Sequence, residues 1–180
     1  MALIVEDGTG LTNANAFISV AYFKAYCDAR GHDYSAYSDT QIETGIVRST
    51  DFMSNSWRWD GFKLHGRGNA AGEQALAFPR TGLVDGEGRS VPYDEVPREV
   101  KDATSEVVRV ELATPGIMTP SYTPHERVKS EKVGPLAQEF DLSSKDAEGA
   151  RPVLLVVRDL IGIFLNGGGH SRLSGETVRT

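Results

Sequence analysis

The sequence predicts a mainly α protein: a small bundle of about four helices, a minor β-hairpin or strand pair, and an extended C-terminal arm. Three observations carry this. Segments opening near Ser19, Ser38 and Pro97 repeat apolar residues at the i, i+3, i+4, i+7 spacing of one buried helical face. A fourth segment, Pro152–Leu165, is apolar almost all round. The remaining β-like pieces are short and bounded by glycine, proline and asparagine.

The first element, Leu3-Ile4-Val5, is a short extended run stopped by Glu6-Asp7-Gly8. Ser19 is a good N-cap for a helix running to about Arg30, with Val20, Phe23, Tyr26 and Cys27 on its inner face and Gly31 as its stop. A second helix starts near Ser38, where Asp39 favours the positive N-terminal end. Ile42, Ile46, Ser49 and Met53 form its inner stripe. Gly45 within it costs up to about 1 kcal/mol relative to alanine, which implies overriding packing or a close approach at that point.

The stretch Trp57–Gly82 follows, WRWDGFKLHGRGNAAGEQALAFPRTG, with both tryptophans of the chain. It reads as a central connector whose core-organising residues are Trp57, Trp59, Phe78, Pro79 and Arg80. Asp85-Gly86-Glu87-Gly88 then makes a tight turn. Pro97 opens the third long helix, with Val96, Val100, Ala103, Val107 and Val110 inward and Lys101, Asp102, Glu106 and Arg109 mostly outward. Residues 115–126 are a proline-rich linker. Arg127–Leu142 looks extended, with a turn or bulge at Gly134-Pro135.

These elements divide the chain into a helical domain with a short β element over 1–142, a polar linker over 143–151, and a C-terminal docking helix and flexible arm over 152–180. Ten of the 13 residues from Val153 to Leu165 are apolar. Such a segment buries itself either in its own domain or against another chain. On the second alternative Leu160, Ile163, Phe164 and Leu165 are docking candidates. Beyond Gly167-Gly168-Gly169, so are Arg172, Leu173, Val178 and Arg179.

At 180 residues and 39% apolar the chain can build one domain with a real core. The net charge of −6 and the isoelectric point near 5.2 argue against broad nonspecific nucleic-acid binding, which depends on clustered Lys and Arg. The last thirty residues are about +2 and the rest about −8, so the C-terminus stands apart. Cys27 is the single cysteine, which excludes an intramolecular disulfide and a thiolate cluster. The N-terminus lacks the pattern of a signal peptide, and 13 apolar-rich residues fall short of the roughly 20 of a membrane span. A soluble protein made in a reducing cytoplasm is expected, without contact with a membrane.

The search for enzyme chemistry finds no convincing site. His32, His65, His125 and His170 are scattered without a second ligand at suitable spacing, so no metal is expected. Gly8-Thr9-Gly10 lacks the continuation of a dinucleotide fingerprint, and Asn166–His170 lacks the Gly-Lys-Ser/Thr of a phosphate loop. No nucleophile elbow is present. Neither a catalytic residue nor a cofactor is expected. The cluster Trp57, Arg58, Trp59, Phe62, Lys63 and Arg67 allows two readings. It could stack on single-stranded nucleic acid, or its aromatics could pack in the core beneath the alkyl stems of the basic residues. Asp60 and the acidic chain favour the second. Arg80, too, is either a buried structural arginine on loop carbonyls or a contact to a partner acid.

The order ALIVEDGTGL, RSTDFM, WRWDGFK, QALAFPRTG, DEVPREVKDAT and VKSEKVGPLAQEF, over about Met1 to Phe140, resembles a tailed-bacteriophage family labelled DnaT-like single-stranded-DNA-binding protein. Its members are similar to head–tail adaptor, or connector, proteins of siphophage-type necks. Phe78 stands here where the family usually has tryptophan. The adaptor side of the resemblance implies a non-enzymatic virion protein assembled in the host cytoplasm. It would form a homo-oligomeric ring, usually of twelve, seated on the portal protein. The ring would join a tail-side neck or stopper protein and let double-stranded DNA pass through its channel without tight binding. The family label implies instead a single-stranded-DNA-binding replication protein.

Overall fold

The computed structural model describes residues 2–119, 130–133, 136–139, 152 and 154–166. Four helices dominate: α1 Val20–Arg30, α2 Asp39–Asn55, α3 Arg98–Ala113 and α4 Leu155–Ile161, the last continuing into a 3-10 turn at Gly162–Phe164. Two small antiparallel pairs accompany them. Strands β1 Phe62–Lys63 and β2 Arg80–Thr81 pair Phe62 with Thr81. Strands β3 Ser130–Val133 and β4 Leu136–Glu139 pair Ser130 with Glu139. The mainly α expectation with a minor strand pair holds. Arg172, Leu173, Val178 and Arg179 lie outside the described residues, as do the linker over 143–151 and the arm beyond Asn166.

Local chemistry sets the helix ends. The Ser19 hydroxyl accepts from the Tyr22 N–H at 3.1 Å, and Gly31 closes α1 in the left-handed region with φ 68°. Ser38 and Gln41 form a reciprocal capping box on α2. Gly45 marks a close helix crossing. A Cβ there would sit 3.2 Å from Leu112 Cδ2 and 3.5 Å from Val108 Cγ1, so the missing side chain lets α3 approach α2. The Asp85 turn is closed by its own carboxylate, which accepts from the Glu87 and Arg89 N–H groups.

Helix α3 is the centre of the bundle and packs against α1, α2 and α4. Its apolar stripe, Val100, Ala103 and Val107, is fully buried. The expectation that Asp102 and Glu106 face solvent is corrected: they are 7% and 8% exposed. The reason is that α1 covers this second flank and offers hydroxyls to it. Tyr22 donates to Asp102 Oδ1 at 2.7 Å, and Tyr26 to Glu106 Oε1 at 2.6 Å. Both pairs are spaced i, i+4, so the partners stack one turn apart on each helix. Arg30 and Arg98 reach Asp102, and Arg109 reaches Glu106, so the buried charges are compensated.

The C-terminal segment forms a shorter helix than Pro152–Leu165 suggests, and it lies within its own domain. Val157, Ile161 and Phe164 are buried, with Leu160, Ile163 and Leu165 packed against the core. Leu165 bridges to Trp59, the Asp60 N–H donates to the Phe164 carbonyl, and the Asn166 N–H to that of Arg58. Of the docking candidates, Phe164 is 1% exposed, and Leu160, Ile163 and Leu165 are partly buried against the same core. The segment's buried face meets α3 and the connector. The exposed apolar side chains of α4 are Leu155 and Val156, at its start.

Candidate functional site

The connector is nearly free of regular structure, so its shape depends on side chains bonding to backbone. Trp59 stacks edge-on against Phe78 with ring centroids 4.8 Å apart, and Phe78 meets Phe17 the same way at 6.0 Å. Trp59 and Phe78 are 8% and 0% exposed. Trp57, half-buried, packs edge-on against Phe52. Neither indole N–H has a hydrogen-bond partner among the described residues, so packing alone holds both rings. Pro79 is buried and follows a cis peptide bond. Of the residues expected to organise the core, Trp59, Phe78 and Pro79 are thus buried and Trp57 is half-buried.

Of the two roles open to Arg80, the arrangement supports the structural one. Its Nε donates to the Asp60 carbonyl at 2.6 Å. Nη1 donates to Ala77, and Nη2 to Gly61 at 2.8 Å and Trp59 at 3.3 Å. One guanidinium thus ties the turn after Trp59 to the loop before β2, using the planar fork that lysine lacks. Burial lowers its pKa from the ordinary arginine range, with Asp60 acting against that shift. At the crossing of the two segments Gly61 has φ 65°, and a Cβ there would lie 2.2 Å from the Thr81 carbonyl oxygen.

Two further organising residues were not singled out in the sequence. Gln74, 1% exposed, accepts from the His65 N–H and donates to the carbonyls of Leu76 and Pro79. Glu6, 4% exposed, accepts from the N–H groups of Gly8, Gly10 and Leu11 and so curls the N-terminal loop around its own carboxylate. That loop abuts the connector: the Ala75 N–H donates to Leu11, and Gly10 lies against His65 and Gln74. A lone amide before an apolar run, and an acid followed by Gly-x-Gly, were the available signals.

Around this core the connector presents a small exposed face. Phe62 is 78% exposed, Arg58 is exposed, and Lys63 Nζ reaches the Gln74 carbonyl at 3.4 Å. Arg67, 93% exposed, lies 3.8 Å from Glu73. Of the aromatic and basic residues considered for strand binding, Trp59 is therefore inside and Phe62, Arg58 and Arg67 are outside. Val84 and Tyr93 are other large exposed side chains in the same part of the chain.

Burial raises the pKa of the Cys27 thiol, which is 1% exposed and poorly placed as a nucleophile. Among the described residues no group of three or more His, Cys, Asp or Glu could hold a metal ion. No helix among them is long and apolar enough to cross a membrane.

The whole chain, residues 1–180, matches one family model, described as "Putative DnaT-like ssDNA binding protein". No curated protein and no solved structure matches it. The family description carries the strand-binding alternative raised by the sequence and contains no reference to a neck or a portal.

Proposed function

We propose, from the premise that this chain belongs to the DnaT-like ssDNA binding family, that it is a structural assembly protein acting through protein–protein docking. The observation that carries this reading is where the connector's chemistry is spent. Trp59 and Phe78 are sealed in the core and Arg80 is committed to four carbonyls, so they offer no stacking platform or free cation to a strand. The chain's net charge of −6 is of the wrong sign for tight phosphate binding.

In its finer form the proposal is a virion neck protein, a ring of identical subunits between portal and tail that extends the DNA channel. Support comes from the resemblance of the ordered motifs to head–tail adaptors. Among the described residues, the exposed Phe62, Val84, Tyr93, Leu155 and Val156 are large apolar side chains available for ring contacts. Within 154–166 only Leu155 and Val156 add to that support, since Val157, Ile161 and Phe164 are buried in the domain.

The family description favours a second reading, single-stranded-DNA binding, and one structural feature suits it. Exposed Phe62 has the basic residues Arg58, Lys63 and Arg67 near it in sequence. A fluorescence titration with a labelled single-stranded oligonucleotide separates the readings. Assembly predicts weak binding. Affinity of roughly micromolar or tighter, falling steeply with salt and lost in Phe62→Ala, overturns it in favour of strand binding. Electron microscopy of virions then tests the finer form, because an adaptor must touch the portal.

A further inference from the structure

We propose that Asn166 is a self-modification site, at which the main chain attacks the side-chain amide and a carboxylate takes its place. Asparagine is among the thermolabile side chains. The chain contains five of them, and only Asn166 is followed by glycine. That pairing suits the chemistry. The main-chain nitrogen of residue 167 attacks the Asn166 side-chain carbonyl carbon, forming the new C–N bond of a succinimide ring. The bond from that carbon to the side-chain nitrogen breaks, and the nitrogen leaves as ammonia with the proton of the attacking amide. Water then opens the ring at either carbonyl, giving aspartate or β-linked isoaspartate. Water is the only co-reactant, and nothing is oxidised or reduced. A Cβ on the following residue crowds the attacking nitrogen, and glycine has none.

The structure separates Asn166 from the other four. Asn15 is pinned at both ends of its amide: Oδ1 accepts from the Ile4 N–H at 2.7 Å, and Nδ2 donates to the Ala2 carbonyl at 3.0 Å. Asn55 closes α2 and donates to the Asp51 carbonyl at 2.9 Å. Asn69 Oδ1 accepts from the Ala71 N–H at 2.8 Å. Asn13 is exposed, but the residue after it, Ala14, is packed in the core. Asn166 is exposed and lies in the turn that follows the 3-10 helix. An exposed side chain outside helix and sheet is free to swing its carbonyl carbon towards the next nitrogen. The position also gives the reaction a consequence. The Asn166 N–H donates to the Arg58 carbonyl at 2.8 Å, so the modified residue is one that ties 154–166 to the connector. Each conversion adds a negative charge there, and the isoaspartyl product lengthens the main chain by a methylene. The proposal is independent of whether the chain assembles with proteins or binds a strand.

The test is peptide mass spectrometry of the full chain aged at mildly alkaline and at mildly acidic pH, with electron-transfer fragmentation to tell isoaspartate from aspartate. Loss of ammonia and uptake of water at residue 166 are expected, ahead of the other four asparagines. The conversion should run faster at the alkaline pH, where the attacking nitrogen gives up its proton more readily. The pairs Asp7-Gly8, Asp60-Gly61 and Asp85-Gly86 can isomerise only without a change in mass, so the mass shift excludes them. Gly167→Ala should slow the conversion about tenfold or more, because its Cβ hinders the attack. Conversion of another asparagine ahead of Asn166, or an equal rate in Gly167→Ala, would overturn the proposal. So would a native chain that keeps Asn166 intact under conditions in which the urea-unfolded chain converts it, because the fold then withholds the site.

Discussion

Tyr26 and Glu106 are joined by a 2.6 Å hydrogen bond between α1 and α3, one helical turn from the matching 2.7 Å bond of Tyr22 to Asp102. The phenolic hydroxyls are what allow two carboxylates to sit inside the bundle. Tyr26→Phe should therefore destabilise the protein by about 1–3 kcal/mol, the usual cost of stripping a partner from a buried polar group. Urea unfolding measures it. A loss under about 0.5 kcal/mol would mean that Arg109 holds Glu106 without the phenol.

The same pairs set an alkaline limit. Burial, and then the hydrogen bond to the facing carboxylate, raises both phenols above the ordinary tyrosine range. The neutral phenol is the protonated form, and the unfolded chain releases its proton first, near pH 10. The contribution is therefore intact below about pH 10 and declines as pH rises towards the folded values. Thermal midpoints should fall more steeply above pH 10 in the unaltered chain than in Tyr22→Phe/Tyr26→Phe. Equal slopes would remove these phenols as the cause.

Arg80→Lys should be far from conservative. An ammonium cannot span the carbonyls of Trp59, Asp60, Gly61 and Ala77 as the guanidinium fork does. A loss of about 3 kcal/mol is expected from chemical denaturation, the sum of two or three under-satisfied carbonyls. A near-neutral result would show that the connector can close without this residue.

Gly61→Ala tests the crossing from the backbone side. Its left-handed conformation and the 2.2 Å approach of a Cβ to the Thr81 oxygen act together. The β1–β2 pair should open, with a loss of about 2 kcal/mol or more. Loss of the Leu64 amide's protection, which rests on its bond to the Pro79 carbonyl, would locate the damage.

Elements governed by neighbours along the chain were the legible ones. Ser19, Gly31 and Ser38 mark helix ends because capping is settled within four residues. Gly45 allowed either overriding packing or a close approach, and Leu112 as the approaching residue did not follow from it. The polar interior was not legible. Asp102 and Glu106 look like solvent-facing residues on α3 until α1, eighty residues earlier, brings hydroxyls to them. Phe164 was ambiguous for a related reason: an apolar segment after a polar linker has the same pattern whether its partner is its own domain or another molecule. Gln74 and Glu6 serve backbone groups that regular structure would otherwise satisfy, and helical or strand periodicity carries no trace of that need.

Phe62→Ser asks what the exposed face is for. At 78% exposure the ring contributes little to the core, so stability should change by no more than about 0.5 kcal/mol. Under the assembly reading, light scattering should show weaker self-association in this variant. Unchanged self-association would place the ring contacts elsewhere.

The bond from the Asp60 N–H to the Phe164 carbonyl, 2.8 Å long, couples the central connector to the segment 154–166. Asp60 also gives its own carbonyl to Arg80, so the guanidinium clamp and the segment 154–166 meet on a single residue. If a partner were to draw 154–166 away from the domain, the Asp60 amide would lose its acceptor while the Arg80 bonds remained. The exchange rate of that one amide hydrogen is thus a native indicator of whether the segment 154–166 is docked on its own domain or drawn away from it.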